Sequence, residues 1–248
     1  MTVELAHLVV QSGIATITLD SPANRNALSA QLRGELLDAL ERTAHDDSVR
    51  VVVIDHTGSV FCAGMDLTEP PDAVKELPRL LERIWTHPKP VVAKLAGPAR
   101  AGGIGLMAAA DIAVAAHDAT FAFTEVRLGL VPAVISVIVL PRLLRHAAHE
   151  LLLTGETFNA TRAVAVGLLN SAVPAEQLDA EVDRYTGMLI KGGPTALALT
   201  KQLLCTPTTA QDLAAMLELS AARFASDEGQ EGIRAFAQKR PASWIPTS

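Results

Sequence analysis

Two short stretches could do chemistry through their backbone. One is Ala63-Gly64, inside residues 57–66 (TGSVFCAGMD); the other is Gly102-Gly103, inside residues 91–111 (VVAKLAGPARAGGIGLMAAAD). Each follows an apolar run, residues 51–54 and 91–95, that reads as a strand buried on both faces. A helix opening on Gly102-Gly103 presents unpaired N–H groups with no side chain in the way. Such an end draws negative charge, either a permanent phosphate or a transient oxyanion. In a parallel sheet the strand ends share one edge, so an N–H from each loop can converge on one oxygen, as in an oxyanion hole. Tight turns with no ligand fit the same residues, and both readings stand at this point.

Other motifs are weaker. Residues 103–108 (GIGLMA) match G-x-G-x-x-A, the dinucleotide fingerprint. The fingerprint needs its glycines directly after the strand, and residues 97–101 intervene. Its acidic partner is also misplaced, with Asp111 too close and Asp118 beyond the next strand. No G-x-x-x-x-G-K-[ST] and no G-x-S-x-G occurs, which removes the main support for phosphate-loop and nucleophile-elbow chemistry. His146, His149 and Glu150 could share a helix face, but no third remote ligand accompanies them, and a solvated helix surface explains them. No metal is implied. Cys62 sits in a loop of small residues and reads as a small buried hydrophobe.

These loops need a frame. Residues 8–10 and 14–19 flank Gln11-Ser12-Gly13, a hairpin signal. Ser29 can cap a helix whose Leu32, Leu36 and Leu40 recur every four residues. Residues 67–90 read as a loop and one helix, 112–115 as a buried strand, and 120–123 as a short strand. Strand and helix alternating at this spacing argue for βαβ units. From Arg142 onward the signal is nearly all helical. The expectation is an α/β core over residues 1–190 and a helical C-terminal region over 191–248.

The totals set outer limits. A chain of 248 residues, 49% of them hydrophobic, can build one large core. A net charge of −6 leaves no basic footprint for nucleic acid. The two cysteines, Cys62 and Cys205, argue against a disulfide framework and for a reducing cytoplasm. The longest apolar stretch, 128–140, is broken by Gly129, Pro132 and Ser136 and is too short for a membrane span.

Several stretches, in order, resemble the enoyl-CoA hydratase/isomerase (crotonase) superfamily. They are residues 61–67 (FCAGMDL), 97–106 (GPARAGGIGL) leading into Asp111, and 121–132 (FAFTEVRLGLVP). Residues 26–28 (NAL), 154–158 (TGETF), 163–168 (AVAVGL) and 236–240 (FAQKR) fit as well. The resemblance implies a ββα spiral core and an acyl-CoA thioester substrate whose enolate is stabilised at the thioester oxygen. It implies the backbone N–H groups of Ala63 and Gly102 as the oxyanion hole, and Glu125 as acid/base. Phe123, Val126 and Leu128 flank Glu125, and apolar surroundings raise a carboxyl pKa toward neutrality. Coenzyme A, as substrate carrier and not as a resident cofactor, would meet Asn24, Arg25, Met65, Asp66 and Leu67. Phe236 and Lys239 match residues that reach coenzyme A from a neighbouring subunit in relatives, and family members form homo-trimers, often paired into hexamers.

The chain departs from the pattern at one point. The best-known hydratases carry a second glutamate three residues after the oxyanion-hole glycine, and here that position is Gly105. A single glutamate suffices to move a double bond, as isomerases of the family do. Residues 103–106 (GIGL) with 125–136 (EVRLGLVPAVIS) are similar instead to hydratases of branched, glutaconyl-type CoA esters. On that view Gly105 frees space for a branched or carboxylated acyl group. The resemblance therefore implies an enoyl-CoA hydratase, with an enoyl-CoA isomerase and a CoA-ester-binding protein without catalysis as alternatives.

Overall fold

The computed structural model describes residues 3–204, 209–240 and 242; Cys205 lies outside the described residues. The chain opens as a hairpin, β1 (Ala6–Gln11) and β2 (Ile14–Leu19), paired antiparallel from Ala6↔Leu19 to Gln11↔Ile14. Ser12 and Gly13 both take positive φ, 51° and 81°, the twist that a two-residue hairpin turn needs. α1 (Ala30–His45) starts where Ser29 Oγ accepts from the Leu32 N–H at 3.3 Å. β3 (Val51–His56), α2 (Leu77–Trp85) and β4 (Val91–Leu95) follow, with a short 3-10 helix (Pro71–Glu76) before α2.

Then come β5 (Ala99–Arg100), α3 (Gly102–Ala109), β6 (Ile112–Ala116) and β7 (Thr120–Ala122). A 3-10 turn (Thr124–Leu128) leads into α4 (Ala133–Val139) and α5 (Arg145–Thr154). The last part holds β8 (Phe158–Asn159), α6 (Ala160–Ala165), β9 (Ser171–Val173), α7 (Leu178–Ile190), α8 (Pro194–Leu204), α9 (Thr209–Phe224) and α10 (Asp227–Ala237).

The main sheet has the order β1-β2-β3-β4-β6-β9, parallel from β2 onward, and a small sheet has the order β5-β7-β8. The all-apolar VVVI run of β3 has the cause expected of it. Val52 and Ile54 enter the main core with α1, α2 and α3, while Val51 and Val53 pack on the other face against Leu178 and Val182 of α7. β8 and β9 interrupt the region read as helical. At two and three residues they are too short to carry a period, and pairing with β7 and β6 creates them. α9 packs on α4, and α10 packs on the 124–128 turn.

Candidate active site

The parallel register Val52↔Val91 places the C-terminal ends of β3 and β4 at one sheet edge. The two loops leaving that edge are stitched together. The Phe61 N–H donates to the Pro98 carbonyl at 3.0 Å, Cys62 bridges Ala99, and the Arg100 N–H returns to the Cys62 carbonyl at 3.0 Å. The Ala101 N–H donates to the Ala122 carbonyl at 3.2 Å, which ties in the strand that leads to Glu125. His56, buried beside Phe61, accepts the Ala96 N–H on Nε2 at 3.0 Å. Burial lowers its pKa, so it stays neutral and braces the second loop.

Close approach is possible because Gly103 has no side chain; a Cβ there would lie 2.8 Å from the Cys62 Cβ and collide with the Cys62 carbonyl. Gly64 takes φ +95°, a left-handed turn that redirects the chain at Met65. The Gly102 N–H lies in the unpaired first turn of α3, and a Cβ on Gly102 would be 3.6 Å from the Met65 nitrogen. Among the described residues no protein group accepts from the N–H of Met65 or of Gly102. Two free donors from two loops thus face one space.

That space is a cavity of about 650 Å³. Its wall includes Met65, Gly102 and Glu125, and also Leu77, Val134 and Ile135. Glu125 is 9% exposed, and its Oε2 has no hydrogen-bond partner. Burial pushes its carboxyl up to about 7, so both protonation states are accessible near neutrality. Asp66 also reaches the wall, but its Oδ1 accepts from Thr68 (N–H at 3.0 Å, Oγ–H at 2.7 Å) and its Oδ2 from Asn24 Nδ2 at 3.4 Å. Although partial burial works against ionisation, these bonds hold its pKa below the ordinary value, so it stays ionised.

A sequence model of the enoyl-CoA hydratase/isomerase family matches residues 9–246. The chain belongs to this family. It is 35% identical over 248 residues to mouse (Mus musculus) enoyl-CoA hydratase domain-containing protein 3, mitochondrial, covering 94% of this chain and 82% of that one. A crystal structure of an enoyl-CoA hydratase from Mycobacterium avium superposes with a TM-score of 0.90 at 39% identity, covering 98% of this chain and all (100%) of that one. Methylmalonyl CoA decarboxylase superposes with a TM-score of 0.84 at 25% identity, covering 100% of both chains. The mixed α/β architecture is therefore the crotonase fold, and the family acts on acyl-CoA thioesters.

Within the family frame, most residues singled out in the sequence come together. Ala63, Gly102, Glu125, Asn24, Arg25, Met65, Asp66, Leu67 and Phe236 all line the one cavity, whereas Lys239 is exposed and off the wall. Phe236 stands on the wall of its own chain's cavity. Ala63 needs a correction. Its N–H donates to the Arg25 carbonyl at 3.1 Å and so is spent on holding the 24–28 loop; the free donor two residues on is Met65. The distinction depends on how the loop turns at Gly64, which composition does not reveal.

Gly105 needs a second correction. It frees no space, because a Cβ there would meet Ile135 Cγ2 at 2.5 Å and Leu81 Cδ1 at 3.4 Å. Asp111 is no ribose ligand: its Oδ2 accepts from the Val91 N–H and from Lys201 Nζ, both at 2.7 Å, and so pins α8 to the core. Glu150 pairs with Arg162 at 2.8 Å. Burial pushes the Cys62 thiol up to about 12, which leaves it inert.

Sequence reasoning assigned no structural role to two supports. Asn26, fully buried, donates to the carbonyls of Thr57 and Val60 and accepts the Ser21 N–H. Arg33, 3% exposed, donates to the Leu28 carbonyl and pairs with Glu69 at 3.2 Å, clamping the 65–69 loop to α1. The one signal for Arg33 was a cation one residue after Leu32 on the apolar stripe of α1.

Proposed function

We propose that the protein shifts the double bond of an enoyl-CoA thioester, with Glu125 as its acid/base and the N–H groups of Met65 and Gly102 as its oxyanion hole. The observation that carries this reading is the buried Glu125 carboxyl, whose Oε2 has no partner, on a wall whose only other carboxylate, among the described residues, is bonded away. Ionised Glu125 takes a proton from C2 of a 3-enoyl thioester. The electron pair passes onto the thioester oxygen, where two fixed N–H dipoles favour it without reorganising. The same carboxyl returns the proton to C4, and the double bond comes to rest between C2 and C3. One carboxyl completes both transfers.

Coenzyme A is held by the residues before and after the site. Arg25 is exposed and makes no ion pair among the described residues, which suits a charge-assisted bond to a phosphate. Asn24, Asp66 and Leu67 line the same cavity as Arg25.

Hydration is the second reading, and the names of the mouse and Mycobacterium avium relatives favour it. It asks Glu125 both to activate water and to supply the C2 proton, since Gly105 brings no carboxylate. The deciding experiment incubates the enzyme with 2-enoyl and 3-enoyl CoA esters in deuterated water and follows mass and NMR. Conversion of the 3-enoyl to the 2-enoyl ester without gain of water is expected, with deuterium entering C4 only to the extent that the Glu125 carboxyl exchanges with solvent before it reprotonates. Gain of one water would make the enzyme a hydratase, and binding without exchange at C2 would leave only a CoA-ester-binding protein.

A further inference from the structure

α3 is buried all round, and at Gly105 its surface is bare backbone. α4 packs directly against it, and Ile135 fills the position that a side chain at 105 would take. Ile135 is 2% exposed and forms part of the cavity wall. Leu81 of α2 closes the contact from the other side. A methyl group of Ile135 thus stands where the family's second carboxylate would begin. Its neighbours in sequence on the wall, Pro132, Ala133 and Val134, carry no charged or hydrogen-bonding side chain, while Ser220 of α9, the helix packed on α4, lines the same cavity.

We infer that the Gly105–Ile135 contact sets the acyl specificity, restricting the site to thioesters whose acyl chain is uncharged and unbranched next to the reacting carbons. The inference rests on the reading of this cavity as the acyl-CoA site. A branch would compete with the Ile135 side chain for the same volume, in a packed wall that yields little. A terminal carboxylate placed against Ile135 and the Pro132, Ala133 and Val134 positions would lose water and gain no partner from them. Both arguments exclude the branched and carboxylated esters that an empty space at Gly105 would have welcomed.

The test compares the full-length parent with Ile135→Ala and Ile135→Val. The substrates are straight-chain, C3-methyl-branched and terminally carboxylated enoyl-CoA esters. Binding of saturated straight-chain acyl-CoA is measured alongside by calorimetry. The parent is expected to favour the straight over the branched ester by at least about tenfold in kcat/KM. Ile135→Ala brings that ratio to within about twofold, and Ile135→Val falls between. The carboxylated ester stays about 100-fold or more below the straight one in all three proteins. A parent that turns over branched and straight esters alike, or an Ile135→Ala ratio equal to the parent's, overturns the assignment of Ile135. Failure of the parent to bind saturated acyl-CoA overturns the acyl-CoA reading itself, so the two failures are told apart. Ile135→Val, one methylene smaller, guards against misfolding of the alanine variant.

Discussion

Ionising Glu125 is opposed chiefly by its loss of water, because Oε2 finds no donor in the wall. The folded-state pKa of about 7 lies above the ordinary 4.5, so the folded chain holds the proton more tightly than the unfolded one. The resulting stabilisation is complete below about pH 4.5 and is lost as the pH rises through about 7. Glu125→Gln, which cannot ionise, should therefore be more stable than the parent at pH 8, by on the order of 3 kcal/mol, with the gap closing toward pH 5. Denaturant melts at the two pH values check this, and a gap that does not change with pH would deny Glu125 its buried charge. For the proposed catalysis the sign is reversed, since Glu125 acts as base only when ionised. The parent's kcat/KM should climb to a plateau above about pH 7, while Glu125→Gln loses about 10²–10⁴-fold in turnover.

In the proposed oxyanion hole, the N-terminus of α3 depends on the 57–66 loop lying against it. Gly103 is the point of contact, and Gly103→Ala would drive a methyl group into Cys62. Overpacking of this kind costs about 1–3 kcal/mol of stability. The larger effect should be on turnover. Moving α3 from the loop separates the Gly102 N–H from the Met65 N–H, and losing one such donor costs about 10²–10³-fold. Thermal melts and steady-state kinetics on the same preparation distinguish the two effects. Stability loss with turnover intact would mean that the paired N–H groups are not the oxyanion hole.

The C-terminal helices complete the site from the far end of the sequence. α10 sits on the turn that carries Glu125: a Cβ on Gly232 would strike the Leu128 carbonyl and lie 2.9 Å from the Leu128 Cα. Gly129, on the same turn, faces the Glu228 carbonyl, 2.8 Å from its own hypothetical Cβ. Phe236, Ala235 and Arg240 extend the cavity wall from there. Gly232→Ala should lift α10, rehydrate Glu125 and move the rise of kcat/KM to lower pH, with a fall of about 10–100-fold in its plateau from lost positioning. An unchanged pH profile at reduced stability would show that α10 only supports the fold. Among the described residues no helix is long and apolar enough to cross a membrane.

Local chemistry alone carried much of this. The turn at Ser12-Gly13, the Ser29 cap, the doubly buried β3 and the glycine start of α3 follow from steric freedom, hydrogen-bond supply and apolar periodicity, all of which act within a few residues. It was the resemblance to the enoyl-CoA hydratase/isomerase family, and not local chemistry, that pointed to Glu125 and Gly102 as candidates for one site. What lay beyond the sequence depended on approach between distant segments. The left-handed turn at Gly64 spends the Ala63 N–H on Arg25 and frees that of Met65. α4 brings Ile135 into the space that Gly105 leaves. β8 and β9 are made by their partners. Periodicity and propensity are properties of neighbours in the chain, whereas a free N–H, a filled void or a carboxyl stripped of water is a property of what the fold places beside it.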